Sequence, residues 1–196
     1  RDLHLSIRRQ RQMCIRDSIQ WLRDNLGIIK NASEIETLAN TVKESGGVTF
    51  IPSLSGLAAP YWAPHVTGNL MGITRDTTNG HIARAALEAI AIRCQEIIIE
   101  MENDSNTKFN DLKVDGGASK NDLLMQIQSH ILKCNVIRPK ITETTALGAA
   151  FFAGLAVGFW PSVDSLKSIW KKDISFSPKK DKKIDRTIKL WNQRIK

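Results

Sequence analysis

Apolar residues fall at two spacings along the chain, and each spacing predicts its own element. Every third or fourth position marks a helix with one buried stripe; a short or alternating apolar run marks a strand. In SIQWLRDNLGII, Ile19, Leu22, Leu26 and Ile29 stand at helical spacing. Asn31 to Val42 continues as a second helical segment, in which Ser33 and Glu36 are spaced as a capping box. GGVTFIPSLSG opens with a turn and passes into a strand that Pro52 stops, because proline has no N–H for a ladder. APYWAPHVTG reads as loop and NLMGIT as a short strand. The strongest helix runs from about Asn79 to Met101. Asn79 is placed to cap it, and Ile82, Ala85, Ala86, Ala89, Ile90, Cys94 and Ile97 form its apolar stripe.

Further on, DLKV reads as a strand, followed by a Gly-Gly turn and a helix from Asn121 to Leu132 with Leu123, Leu124, Ile127 and Ile131 on one face. CNVIRP is a strand ended by Pro139, and Thr144 to Val157 a helix of small residues that lets neighbouring backbones approach. A Lys-rich, Trp-containing segment closes the chain. Alternating strands and helices predict an α/β layered domain, and no internal repeat is visible.

The longest apolar run, ALGAAFFAGLAVGFW at 146–160, is short of the roughly 20 residues a membrane helix needs and is broken by glycines. It predicts a buried helix and no membrane span. Composition agrees with a folded domain: 42% of the residues are hydrophobic and 24% charged. Cys14, Cys94 and Cys134 are widely spaced and odd in number, which favours neither a zinc site nor a disulfide framework. A reducing, cytoplasmic setting is expected.

The net charge of +8 is unevenly placed. Residues 1–17 carry +3, residues 167–196 carry +8, and the stretch between them carries −3. Basicity therefore belongs to the ends, and no nucleic-acid partner is expected, since such a domain interleaves basic and aromatic residues on its folded surface. KKDKKIDRTIKLWNQRIK reads as a solvated helix face.

Two stretches are candidates for chemistry. In VDGGASKND a strand runs into glycines and then a helix start, where unpaired N–H groups carry partial positive charge suited to phosphate. The pattern is neither GxxxxGK[ST] nor GxGxxG, so a tight turn and a ligand contact both stay open. In TETTALGAAFFAGLA, Gly148 and Gly154 read as close-packing positions. His65, His81 and His130 are isolated, which suits surface or capping roles; no metal spacing and no nucleophile–base order stands out.

One set of residues goes further. GNLMGITRDTTNGHIARAALE carries Gly68, Leu70, Gly72 and Ile73, a seven-residue gap, then His81, Ile82, Ala85, Ala86, Leu87 and Glu88. With SIQWLRD, IPSLSGLAAPYW, VDGGASKNDLLMQIQSHIL and ETTALGAAFFAGLAVGFW, in order from Ser18 to about Trp160, it resembles the FGGY carbohydrate kinases, above all their glycerol-phosphorylating members. The resemblance implies two domains of the actin/hexokinase/Hsp70 (ribonuclease H-like) type, each a mixed α/β sheet flanked by helices, with ATP in the cleft between them. Residues 18–160 would be the C-terminal, nucleotide-binding domain, incomplete at its start, and residues 161–196 a Lys-rich helical segment.

By the same resemblance Gly117, Asn121 and Gln20 contact the adenine nucleotide. A glycine expected four residues before Gln20 is Arg16 here, and Ala63 and Thr67 replace an acid and an arginine of the family's loop. The glycerol site, the phosphate-binding turns, the aspartate base and the Mg²⁺ ligands would lie in a missing N-terminal portion. No catalytic residue is therefore assigned. ATP or ADP with Mg²⁺ is the implied cofactor, transfer of the γ-phosphate to glycerol the implied reaction, and the chain alone is expected to be inactive. Another FGGY kinase, or a non-catalytic nucleotide-binding module, is the alternative; self-association into a homo-oligomer is compatible with either. Residues 1–17 match nothing quoted above, the pattern resuming at Ser18, and read as a foreign segment joined to a truncated gene.

Overall fold

The structure is a computed structural model that describes residues 16–195. Most of the foreign-segment expectation for residues 1–17 thus lies outside the described residues. Helix α1, Arg16–Asp24, buries Ile19 and Leu22 and stacks Trp21 on Phe50 at 5.8 Å. It is shorter than its apolar spacing predicts. Asn25 and Leu26 both turn back to the Trp21 carbonyl, so Leu26 faces solvent while Ile29 returns to the core.

Helix α2, Glu34–Ala39, is a short piece of the predicted segment, with Ile35 and Ala39 buried. The expected Ser33–Glu36 capping box does not form. Glu34 reaches back instead, accepting from the Lys30 N–H at 2.9 Å, and Ser33 makes no side-chain cap. Strands β1, Thr49–Ile51, and β2, Asn69–Met71, pair antiparallel, Phe50 opposite Leu70.

Helix α3, Asn79–Ser105, is the axis of the molecule. Thr78, not Asn79, caps it, in a box with His81, whose Nδ1 accepts from the Thr78 N–H at 3.1 Å. A helix of this length rises about 40 Å. Its first half is covered on all sides, Ala83 through Arg93 being buried, and its second half lies on the surface. Within the covered half Arg84 donates to Glu88 at 3.0 Å. Burial pushes the Glu88 carboxyl up, against the pull of Arg84.

Strands β3, Asp111–Lys113, and β4, Asn135–Pro139, run parallel. Parallel neighbours need a crossover, and helix α4, Asp122–Leu132, supplies it. Helices α5, Thr144–Ala156, and α6, Val163–Leu166, precede strand β5, Lys172–Phe176, which pairs antiparallel with β4 and completes the order β3-β4-β5. The closing segment, expected to be helical throughout, thus contributes a strand before helix α7, Lys182–Arg194.

That last helix is amphipathic rather than merely solvated. Trp191 is 1% exposed and donates to Glu96 at 2.8 Å, Thr187 donates to Glu88 at 3.0 Å, and Arg194 donates to the Gly47 carbonyl at 2.8 Å. The C-terminus thereby ties α3 to the turn before β1. Helix α5 departs most from expectation. Only Gly154 is buried, under the Trp160 ring, where a Cβ would fall 2.2 Å from a ring carbon; nothing approaches Gly148. Phe152 is 80% exposed and Val157 81%. The apolar run is real, but no described element covers it.

Candidate functional site

The glycine turn grows out of the sheet. Past β3 the Val114 N–H bonds the Ile137 carbonyl at 3.0 Å, and the Gly116 N–H bonds the Thr142 carbonyl at 2.8 Å. Thr144 donates to the Asp115 carboxylate. The chain then reverses at Gly116, whose φ of +75° is a conformation that a side chain resists. A 3₁₀ turn, Gly117–Lys120, follows, with buried Ser119 donating back to the Gly116 carbonyl at 2.7 Å. Asn121 caps α4 by accepting from the Leu124 N–H at 2.8 Å.

The two glycines of this turn are needed for different reasons. Gly116 answers to its own backbone. Gly117 does not: its φ is not positive, and a Cβ built there meets no atom within 4 Å. No described residue requires the missing side chain, which leaves room for something outside the turn. Among the described residues the Gly117 and Ala118 N–H groups have no acceptor, and the Asn121 Nδ2 amide has none either, its Oδ1 being committed to the cap. Residues 117–121 thus offer an exposed glycine backbone, two amide donors and one side-chain donor within one short stretch. Such a set suits a polar, anionic or heteroaromatic ligand.

Gln20 is presented separately. It lies half-buried on α1, which packs against α3, whereas the glycine turn packs against α4. Helix α2, which follows α1, packs on both α3 and α4. Gly117 and Asn121 therefore share one turn, and Gln20 stands on a different support.

Two residues that hold the turn were not assigned to it from the sequence. Glu36 accepts from the Leu123 N–H at 2.9 Å, and Arg138 donates to the Ser119 carbonyl at 3.0 Å and to Asp122 at 2.7 Å. In sequence Glu36 carries only a capping-box spacing from Ser33, which points to its own helix, and Arg138 is a strand residue before proline, so neither signals the turn.

Structure accounts for two of the three histidines. His81 caps α3, and His130 is buried with Nε2 3.0 Å from Asp185 and Nδ1 against the Lys179 carbonyl. In the Pro60–Pro64 loop Tyr61 donates to Glu96 at 2.6 Å; burial, then that carboxylate, pushes its phenol up. Arg93 donates to the Ala59 carbonyl at 2.8 Å. Ala63 pairs with Leu57 through its backbone, and Thr67 accepts from Ser53 through its carbonyl. The loop bonds at those two positions thus do not use their side chains. Among the described residues no cluster of His, Cys, Asp or Glu is arranged to hold a metal, and no helix is long and apolar enough to cross a membrane.

Residues 8–157 match the C-terminal domain of the FGGY family of carbohydrate kinases, a match that begins within the arginine-rich opening stretch. The chain is 49% identical over 179 residues to the glycerol kinase of Dichelobacter nodosus, covering 91% of this chain and 36% of that protein. It is 55% identical over 160 residues to the glycerol kinase of Paraburkholderia phytofirmans, covering 82% and 32%. The crystal structure of Plasmodium falciparum glycerol kinase with ADP superposes with a TM-score of 0.79 at 36% identity, over 90% of this chain and 35% of that one. The chain thus spans about a third of the length of these relatives. A xylulose kinase from Lactobacillus acidophilus, 23% identical with a TM-score of 0.69, shares the fold. The expected actin/hexokinase-type α/β architecture, a mixed sheet flanked by helices, is borne out.

Proposed function

Because the chain belongs to the FGGY family of carbohydrate kinases, we propose that it forms the adenine-nucleotide-contacting part of a glycerol kinase. The observation that carries this reading is its identity of about one half to glycerol kinases over most of its length. Gly117 lets the nucleotide approach the backbone, the Gly117 and Ala118 N–H groups donate to it, and Asn121 offers Nδ2 while its Oδ1 caps α4. Gln20 adds a polar side chain from α1. In the complete protein the γ-phosphate of ATP passes to glycerol, giving sn-glycerol 3-phosphate. Phosphoryl transfer needs acceptor, phosphate and Mg²⁺ held in line. The glycerol site, the general base and the Mg²⁺ ligands are assigned to the part of the relatives' length that this chain does not span. The setting is cytoplasmic, and self-association of the complete enzyme fits the same reading.

Two experiments test it. A complete protein carrying this sequence should phosphorylate glycerol with ATP and Mg²⁺; rejection of glycerol in favour of a pentulose moves it elsewhere in the family. The 196-residue chain by itself should bind ADP weakly by calorimetry and transfer no phosphate, and sustained turnover by it would overturn the division of labour. The proposed boundary at Ser18, with residues 1–17 foreign, residues 18–160 the kinase domain and residues 161–196 its closing segment, is tested by sequencing the locus. An intact kinase frame upstream of Ser18 supports it, and a start within the arginine-rich stretch removes it.

A further inference from the structure

The guanidinium of Arg138 joins the glycine turn to the sheet. It projects from β4 and its side chain is only 14% exposed. One nitrogen, Nη1, donates both to the Ser119 carbonyl at 3.0 Å and to Asp122 Oδ1 at 2.7 Å. On its other side Nε donates to Asp173 Oδ2 on β5 at 3.2 Å, and the group lies 5.6 Å from the Phe176 ring centre. Ser119 and Asp122 bracket Lys120 and Asn121. Fixing both ends of so short a stretch fixes what lies between, including the direction in which Asn121 presents its amide. The backbone ladder already joins β4 to β3 and β5, so the sheet has its own pairing. The turn-facing bonds fall outside that ladder.

We propose that Arg138 is a positioning residue for the nucleotide contact, acting through Ser119 and Asp122 on Gly117 and Asn121 without touching the ligand. The assignment rests on the nucleotide-site reading above. A planar fork suits the role because it satisfies acceptors in different directions at once; a lysine ammonium is a compact point charge on a flexible stem and cannot reproduce that geometry. Arg138 has two separable arms, one to the turn through Asp122 and one to β5 through Asp173. Only the first should matter for the ligand.

The test titrates ADP into the 196-residue chain and into Asp122→Asn, Arg138→Lys, Asp173→Asn and Asn121→Ala variants by calorimetry, with Tm and amide hydrogen exchange measured on each. Loss of a charge-assisted bond predicts about tenfold weaker ADP binding for Asp122→Asn and Arg138→Lys, with Asp173→Asn within about twofold of the unsubstituted chain. Amides 117–124 should exchange faster in the first two variants and not in the third. If ADP affinity falls in all of them in step with Tm, Arg138 is a structural residue only and the proposal is overturned. Unchanged affinity in Asp122→Asn and Arg138→Lys, with Asn121→Ala still weakened, overturns it equally. A chain that takes up no ADP, or an Asn121→Ala variant that binds undiminished, sinks the nucleotide-site reading instead. The exchange measurement needs no nucleotide and then decides by itself whether Arg138 pins the turn, equal exchange in all variants refuting it.

Discussion

Glu36 accepts a hydrogen bond from the backbone N–H of Leu123 at 2.9 Å, across 87 positions of sequence. A carboxylate on α2 thus satisfies one of the orphan donors of α4, beside the Asn121 cap. Negative charge at a helix N-terminus is favourable, and the bond joins the short helix α2 to the well-buried α4. Replacement by alanine should cost about 1 kcal/mol of stability, and Glu36→Gln less because an oxygen acceptor remains. Denaturant unfolding of the two variants measures the difference. Equal stability in all three chains would show that water serves Leu123 as well.

Asn121 combines two roles that can be separated. Its Oδ1 caps α4, and its Nδ2 has no acceptor among the described residues. Asn121→Ala should lose about 1 kcal/mol and also weaken ADP binding, whereas Asn121→Ser should keep most of the cap and still bind ADP less tightly. Calorimetry with ADP beside thermal unfolding separates the two effects. A serine variant that binds as well as the unsubstituted chain would remove the side-chain amide from the site.

The contact between His130 and Asp185 should make stability depend on pH. The hydrogen bond from His130 holds the Asp185 carboxyl below the usual carboxylate range. A lowered folded value means stabilisation that is present above the unfolded value, about pH 4, and is lost as pH falls through the folded one. Asp185→Asn should therefore unfold at a lower Tm near neutral pH, with the gap to the unsubstituted chain closing in acid. A gap of constant size across that range would assign the loss to packing of α7.

Phe152 tests the bare face of α5. At 80% exposure it contributes little to folding, so Phe152→Ser should change stability by no more than about 0.5 kcal/mol. The same change should reduce self-association of the chain, because it interrupts an exposed apolar surface. Light scattering and unfolding curves on the two proteins check both statements. A large loss of stability would mean that Phe152 is covered in solution.

The helical periodicities of α3 and α4 were legible because each presents apolar residues at regular spacing over several turns. Pro139 marked the end of β4 correctly, as did Pro52 for the run containing β1. The caps were harder. Thr78 and Asn79 are both cap-forming residues, and only the turn entering α3 decides between them. Glu36 stood at capping-box spacing from Ser33 yet serves a different helix, because the tertiary contact brings a better donor to it. Strand β5 was missed because KDISF is short, charged at one end and mostly exposed, and β4 alone gives it a partner.

The candidate site divides in the same way. VDGGASKND can be picked out from sequence as a strand–glycine–helix junction, since backbone freedom and helix-end donors follow from local chemistry. Sequence alone left a tight turn and a ligand contact equally open. The structure separates the two glycines: a positive φ explains Gly116, and nothing among the described residues explains Gly117. It also brings in Glu36 and Arg138, which are distant along the chain and adjacent in space. The sequence by itself determined the periodic helices, the α/β alternation and the glycine junction, because these depend on neighbours a few residues apart. Caps shared between helices, the covered half of α3, the bare face of α5 and the supports of the turn were decided by tertiary structure alone, because each depends on which distant surface arrives to satisfy a polar group or exclude water.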